Sequence, residues 1–388
     1  MKPGKYSFIQ QEQVIWGRPA ADAISDVADE LGAQRLFIVA SKTLNRSTDV
    51  VAGIRKRLGA RAVGLFDETE EHSPQGSVLR TAAAIAAASP DLIVTIGGGS
   101  PIDTVKVAQI VLAEGIETEE QLSAYRVTTN ADGSWNIPKS KPSPVRQIVV
   151  PTTLSAAEFS NIGGSTDRKR QVKDLYVGKT ICAQAVILDA AVTVHTPEWL
   201  WLSTGIRAVD HAVESICSRT PNPFVDAGSL EGLKMLSASL RANRQSPGDL
   251  DMRLQSQLGV WLASIGIGRV EWGASHGIGH QLGGVAGVAH GHTSCVMLPN
   301  VMRWNREHVA EPLSRIALAF GQPGGDAADL VQALIRDLGM PTTLGEVKVG
   351  REHFDRIASA AMQSPMVKAN PRPITDPAQV REILEMAL

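Results

Sequence analysis

Short apolar runs alternate with amphipathic stretches through the first half of the chain. Arg35-Leu36-Phe37-Ile38-Val39-Ala40, Ala62-Val63-Gly64-Leu65-Phe66 and Asp91-Leu92-Ile93-Val94-Thr95-Ile96 are each almost continuously apolar, and Gln147-Ile148-Val149-Val150 and Ala185-Val186-Ile187-Leu188 extend the series. Runs this short without polar alternation read as strands buried on both faces. Helical periodicity at about residues 19–32, 76–89 and 101–115 separates them, which predicts a parallel sheet with helices on both sides.

The polar stretch between about residues 115 and 147 contains Asn130-Ala131-Asp132-Gly133 and three prolines. Its composition cannot fill a core, so it reads as an inserted turn or hairpin. After Thr196-Pro197-Glu198 the strand signal stops and helical periodicity, broken by Pro and Gly, runs to the end. The expected division is an α/β domain over residues 1–190 and an all-α domain over 191–388.

The 388 residues are 43% hydrophobic and 20% charged with a net charge of −2, the profile of a globular protein with no global pull toward nucleic acid or anionic membrane. Three widely spaced cysteines, Cys182, Cys217 and Cys295, form no CxxC pair, which argues against a disulfide framework or a thiolate zinc site. No apolar run reaches eighteen residues, and Met1-Lys2-Pro3-Gly4-Lys5 leads into no signal-like segment. No membrane partner and a cytoplasmic location are therefore expected.

Chemistry enters where Ile93-Val94-Thr95-Ile96 runs into Gly97-Gly98-Gly99-Ser100-Pro101. Glycines admit a pyrophosphate close to the backbone, and the N-terminus of the following helix offers free N–H groups and the positive end of a dipole. This is neither G-x-G-x-x-G nor a P-loop. Far downstream, His276, His280, His290 and His292 fall within seventeen residues, with His211 on another helix. His276 and His280 share a helical face at i and i+4, and a turn through Gly283, Gly284 and Gly287 could return His290 to them. Three imidazoles would suit zinc, iron or nickel.

The segment from Gly97 through Asp103 to Lys106 resembles the GGGSxxDxxK signature of the iron-containing (group III) alcohol dehydrogenases. Pro151-Thr152-Thr153, Lys173 before Asp189, the Gly205–Glu214 helix and the His276–Gly291 segment resemble further motifs of that family, in the same order. The resemblance implies a Rossmann-like dinucleotide-binding domain and a helical domain in the dehydroquinate synthase-like architecture, with the active site in the cleft between them. It also implies a homodimer or larger assembly. Ser41, Gly97, Gly98, Gly99, Ser100, Asp103, Thr152, Thr153 and Lys173 become the expected cofactor residues. Ser41 stands where NAD-preferring members carry Asp, and Lys42 lies beside it, so both NADH and NADPH are expected to be accepted.

Metal-dependent members use one Asp and three His, positions that fall here on Arg207, His211, His276 and His290. A guanidinium offers no lone pair and opposes a nearby divalent cation, so a catalytic metal is not expected. Asp210 is not expected to replace the ligand, because it points about 100° away from His211. The maleylacetate reductases, the metal-free branch of the family, also lack this Asp, and Pro151–Glu158 has their spacing. Gly291-His292-Thr293-Ser294 and Arg207 depart from that branch.

The expectation is an NAD(P)H-dependent reductase of a carbonyl or conjugated double bond in a small oxo-acid. His280 would be the proton donor, His211 and His276 would lie beside the substrate, and Arg207 would grip a carboxylate. Equally open for Arg207 is a helix ion pair with Asp210 or Glu214. The alternatives are an iron- or zinc-dependent alcohol or aldehyde dehydrogenase with an altered ligand set, and a relative that has lost catalysis and only binds.

Overall fold

A computed structural model describes residues 4–130 and 135–388; residues 131–133 of the expected turn, and residues 1–3, lie outside the described residues. The chain forms two compact units, one of Phe8–Asn130 with Trp135–Thr196, the other of residues 4–7 with Pro197–Leu388.

The first unit is built on six parallel strands: β1 (Gln13–Trp16), β2 (Leu36–Ala40), β3 (Ala62–Phe66), β4 (Leu92–Gly97), β7 (Arg146–Pro151) and β10 (Ala185–Leu188), in the order β1-β10-β7-β4-β2-β3. Successive side chains in a strand point to opposite faces. Leu36, Ile38 and Ala40 accordingly join Leu92, Val94 and Ile96 in one core beneath the helices Ala20–Glu30 and Val50–Leu58. Phe37, Val39 and Ile93 face a second core under Gln75–Ala88 and Gly99–Glu114. Both faces are covered, which is why these strands read as continuous apolar runs.

The polar insertion is a small antiparallel pair, β5 (Thr128–Thr129) with β6 (Trp135–Asn136). A second hairpin, β8 (Ile162–Asp167) with β9 (Val172–Val177), was not anticipated: Gly163, Gly164, Lys173 and Asp174 break the apolar pattern that marks a strand. Strand β1 carries no buried run either, three of its residues being partly buried and Trp16 exposed.

From Glu198 onward the described residues are helical. The wholly buried segment of the long helix Glu198–Ile216 lies beside Ala274–Ala286 and His290–Asn305, over a core that includes Ile278, Leu282, Val296, Met297 and Phe354. Among the described residues, no helix is long and apolar enough to cross a membrane.

Candidate active site

The strand order of the first unit reverses between β2 and β4, since β3 follows on one side of β2 and β7 on the other side of β4. In open α/β sheets, ligands bind at the carboxyl ends of the strands flanking such a switch. Ser41 follows β2 there, with its N–H on Ile96 O at 3.0 Å. Gly97 ends β4, and Thr152 N–H donates to Gly97 O at 2.9 Å from the end of β7. The loops approach so closely that side chains are excluded: a Cβ on Gly97 would stand 2.6 Å from Pro101 Cγ, and one on Gly98 would stand 2.9 Å from Thr153 Cγ2. Gly99 opens a sixteen-residue helix whose N-cap, Gly98, provides no side-chain cap, so its first N–H groups face outward for an anion.

Ser100 is tied down by His72 N–H to its Oγ (3.1 Å) and by its carbonyl accepting from Ser73 Oγ (2.9 Å). One turn into the helix, Asp103 lies 3.6 Å from Lys173 Nζ and 3.9 Å from Lys106 Nζ. Ser41, Gly97–Ser100, Thr152, Thr153, Asp103 and Lys173 are thus brought to one end of the sheet. The uncapped helix start and the side-chain-free approach fit a dinucleotide pyrophosphate.

In the helical unit, Arg207, Asp210, His211 and Glu214 form a polar stripe at i, i+3, i+4 and i+7 of one buried helix. Arg207 is 3% exposed. Its Nη1 donates to Ser294 Oγ at 2.9 Å and lies 3.7 Å from Asp210 Oδ2, and its Nη2 is 3.4 Å from His280 Nε2. Asp210 Oδ2 also accepts from Ser275 Oγ (2.9 Å) and Ser294 Oγ (2.6 Å). Asp210 is drawn into the cluster as the i+3 ion-pair partner that the sequence left open for Arg207. Its direction away from His211 is toward Arg207 and the serines, and its Oδ1 is 3.5 Å from His276 Nδ1.

Glu214 serves a different partner from the one expected. It accepts the Ser275 N–H at 2.9 Å and the His276 N–H at 3.4 Å, which caps the helix Ala274–Ala286, and it meets His276 Nδ1 at 2.7 Å. Burial and the neighbouring Asp210 charge raise the Glu214 carboxyl to about 8, opposed by the backbone N–H groups it accepts. His276 Nε2 lies on the side of the ring away from Glu214. It is buried and unpartnered, as are His211 Nδ1 and Arg207 Nε. Burial and the Arg207 charge hold both His211 and His276 well below the usual histidine range, so both are neutral. Burial also pulls Arg207 down, opposed by the Asp210 and Glu214 charges.

The rings form a row rather than a cage. Trp272 stacks on His211 (centroids 4.8 Å) and lies 4.1 Å from His276, His211 stacks on His276 (5.2 Å), and His280 stacks on His290 (5.6 Å). His276 is buried, His280 half-buried and His290 exposed, and the Gly-rich turn returns His290 to stack on His280. Among the described residues, the three inherited ligand positions do not bring three ligand atoms within 4.8 Å of one another; Asp210, Glu214 and His276 do. Stacked imidazoles aim their lone pairs past one another, and Arg207 holds the fourth position. The functional residues missed in the sequence are Ser294, Ser275, Glu214 as the His276 partner, and Trp272. The i, i+3, i+4, i+7 polar stripe was the available signal for Glu214.

Sequence models for iron-containing alcohol dehydrogenase match residues 11–190, and for the C-terminal part of the Fe-containing alcohol dehydrogenase family residues 201–388. The chain belongs to the iron-containing alcohol dehydrogenase family and is an oxidoreductase. It is 33% identical over 378 residues to dehydrogenase ALT3 of Alternaria alternata, covering 89% of this chain and 96% of that protein. It is 29% identical to lactaldehyde reductase of Escherichia coli (strain K12), with coverage of 95% and 96%. It is 27% identical to maleylacetate reductase of Rhizobium sp. (strain MTP-10005), with coverage of 97% and 95%. The crystal structure of that maleylacetate reductase superposes with a TM-score of 0.83 at 26% identity, covering 100% of this chain and 99% of that one. These relatives support an NAD(P)-dependent reductase activity. Identity to the two kinds of reductase is nearly equal, so the substrate must be argued from the site.

Proposed function

We propose that the protein reduces a carbonyl or conjugated double bond of a small, carboxylate-bearing substrate of the oxo-acid class, with NADH or NADPH and without a catalytic metal. One observation carries the reading: a buried guanidinium, with an unpartnered Nε–H, stands inside the histidine cluster at the position of the absent ligand.

The nicotinamide cofactor supplies the hydride when bound. Gly97–Ser100, Thr152 and Thr153 hold its pyrophosphate, Ser41 leaves room for a 2′-phosphate, and Lys173 with Asp103 holds the ribose side. Arg207 places a fixed positive charge where negative charge develops on substrate oxygen or rests on a carboxylate. Asp210 and Ser294 keep the guanidinium in place. His211 and His276, both neutral, present the buried, unpartnered Nδ1 and Nε2 to polar groups of the substrate. A guanidinium only donates, so His280 meets it with Nε2 as acceptor, and the proton of the neutral ring sits on Nδ1. His280 donates its Nδ1 proton to the substrate while it takes one up from solvent, which the half-buried ring reaches. A cytoplasmic homodimer accompanies this reading, checked by sedimentation of the purified chain.

The second reading, a metal-dependent alcohol or aldehyde dehydrogenase, is favoured by the proximity of Asp210, Glu214 and His276. Oxo-acids, enones and aldehydes should be assayed with each cofactor, with and without chelator, on protein purified without a histidine tag. Turnover of a carboxylate-bearing substrate, undiminished by chelator and weakened mainly in KM by Arg207→Lys, is the expected result. Activity that disappears with chelator and returns with iron or zinc overturns it in favour of the second reading.

A further inference from the structure

We infer that Gly164, in the β8–β9 hairpin, is a positioning residue for cofactor binding: its lack of a side chain keeps the Lys173 ammonium against Asp103. Lys173 lies opposite Thr166 in the hairpin register, and its side chain doubles back across β8 to reach Asp103 Oδ2 at 3.6 Å. The path crosses Gly164. A Cβ built there would overlap Lys173 Cε, stand 2.9 Å from Nζ and 3.3 Å from Asp103 Oδ2. Gly163 beside it lets the strand lie flat on the helix that starts at the Gly-rich turn, its Cβ position being 3.1 Å from Lys106 Cβ and 3.0 Å from Val107 Cγ2. The hairpin is pinned to that turn as well. Ser165 Oγ donates to Ser73 O at 2.7 Å and Thr166 N–H to the same carbonyl at 3.1 Å, while Ser73 holds Ser100. Lys173 is thus carried on a braced hairpin, and the position of its ammonium depends on one missing methyl group.

The Lys173 side chain is 41% exposed. A methyl at residue 164 therefore expels a flexible arm and leaves the backbone in place. The inference rests on the dinucleotide reading of this end of the sheet.

Gly164→Ala, Lys173→Ala and the double variant of the full chain separate the possibilities, by titrating NADH and NADPH through protein fluorescence quenching and by thermal melting. Gly164→Ala should weaken both cofactors about tenfold, as Lys173→Ala does. The double variant should bind no more weakly than Lys173→Ala alone, because both changes remove the same contact. If Gly164→Ala lowers Tm, the double variant should recover it, since without Lys173 the new methyl meets no carbon chain. Wild-type binding by Gly164→Ala alongside weak binding by Lys173→Ala overturns the inference and leaves the reductase reading intact. Additive losses in the double variant overturn it equally. Wild-type binding by Lys173→Ala removes Lys173 from the cofactor site, and the inference falls with that part of the reading.

Discussion

Replacing Arg207 by methionine removes the cation and keeps much of the apolar stem. Asp210 then keeps its two serine hydroxyls and loses its countercharge, inside a cluster from which water is excluded. Across 3.7 Å, at an effective dielectric near 20, the lost attraction is ~4 kcal/mol. Stranding one partner of a buried pair typically costs about 3–5 kcal/mol. Asp210→Asn produces the mirror defect, leaving Arg207 buried without its anion. The double variant, Arg207→Met with Asp210→Asn, leaves neither charge and should lie within about 1 kcal/mol of wild type, since neutral replacements of buried pairs are tolerated. Unfolding free energies from urea titration of the four proteins complete a double-mutant cycle. Two single losses of about 3–5 kcal/mol each, against about 1 kcal/mol for the double variant, give an expected coupling of at least about 5 kcal/mol. A coupling below ~0.5 kcal/mol would refute the claim that the guanidinium is held in place by Asp210.

Burial lifts the Glu158 carboxyl to about 7 from an ordinary 4.5, against the opposing charge of Lys106. The folded chain therefore retains a proton that the unfolded chain releases, and stability falls by roughly 3 kcal/mol as pH rises from about 4.5 to 7, then levels. Glu158→Gln should flatten this dependence in urea midpoints measured between pH 5 and 8; an unchanged slope would assign it to other groups. Gly98→Ala should weaken NADPH binding at least tenfold by pushing on Thr153, and adding Thr153→Ser, which removes the Cγ2 that stands 2.9 Å away, should restore part of it in the same titration. Gly291→Ala would set a methyl 2.7 Å from Ser203 Cβ and 2.8 Å from its carbonyl carbon, where two buried helices meet. A loss of about 2–3 kcal/mol is expected, read as a fall in Tm. Cys182, Cys217 and Cys295 are buried and free, and burial raises all three thiols, so a bulky thiol reagent should label them only on unfolding.

The sheet was legible because its strands are buried on both faces and carry unbroken apolar runs; β4 and β10 were read almost to the residue. Where burial is partial the pattern fails, as at β1, or is overwritten by residues with other duties, as at Gly164 and Lys173 in the β8–β9 hairpin. The Gly-rich turn announced itself through composition. The histidines did too, but their partners did not. Nothing in one dimension says that Ser294 meets Arg207 across 87 positions, or that Glu214 caps a helix sixty residues away. Asp210 enters the cluster through its i+3 spacing from Arg207, the one partnership in the site that helix geometry offered in advance.

The Arg207–Asp210 pair also makes this site hard to reverse by descent. A single change of Arg207 to Asp, the residue that metal-dependent members carry there, would place a third carboxylate in one buried cluster with Asp210 and Glu214 and delete the cation that faces them. The intermediate would be poorly folded before any ion could reward it. Neutralising Asp210 first would ease that change, so the order of the two substitutions matters.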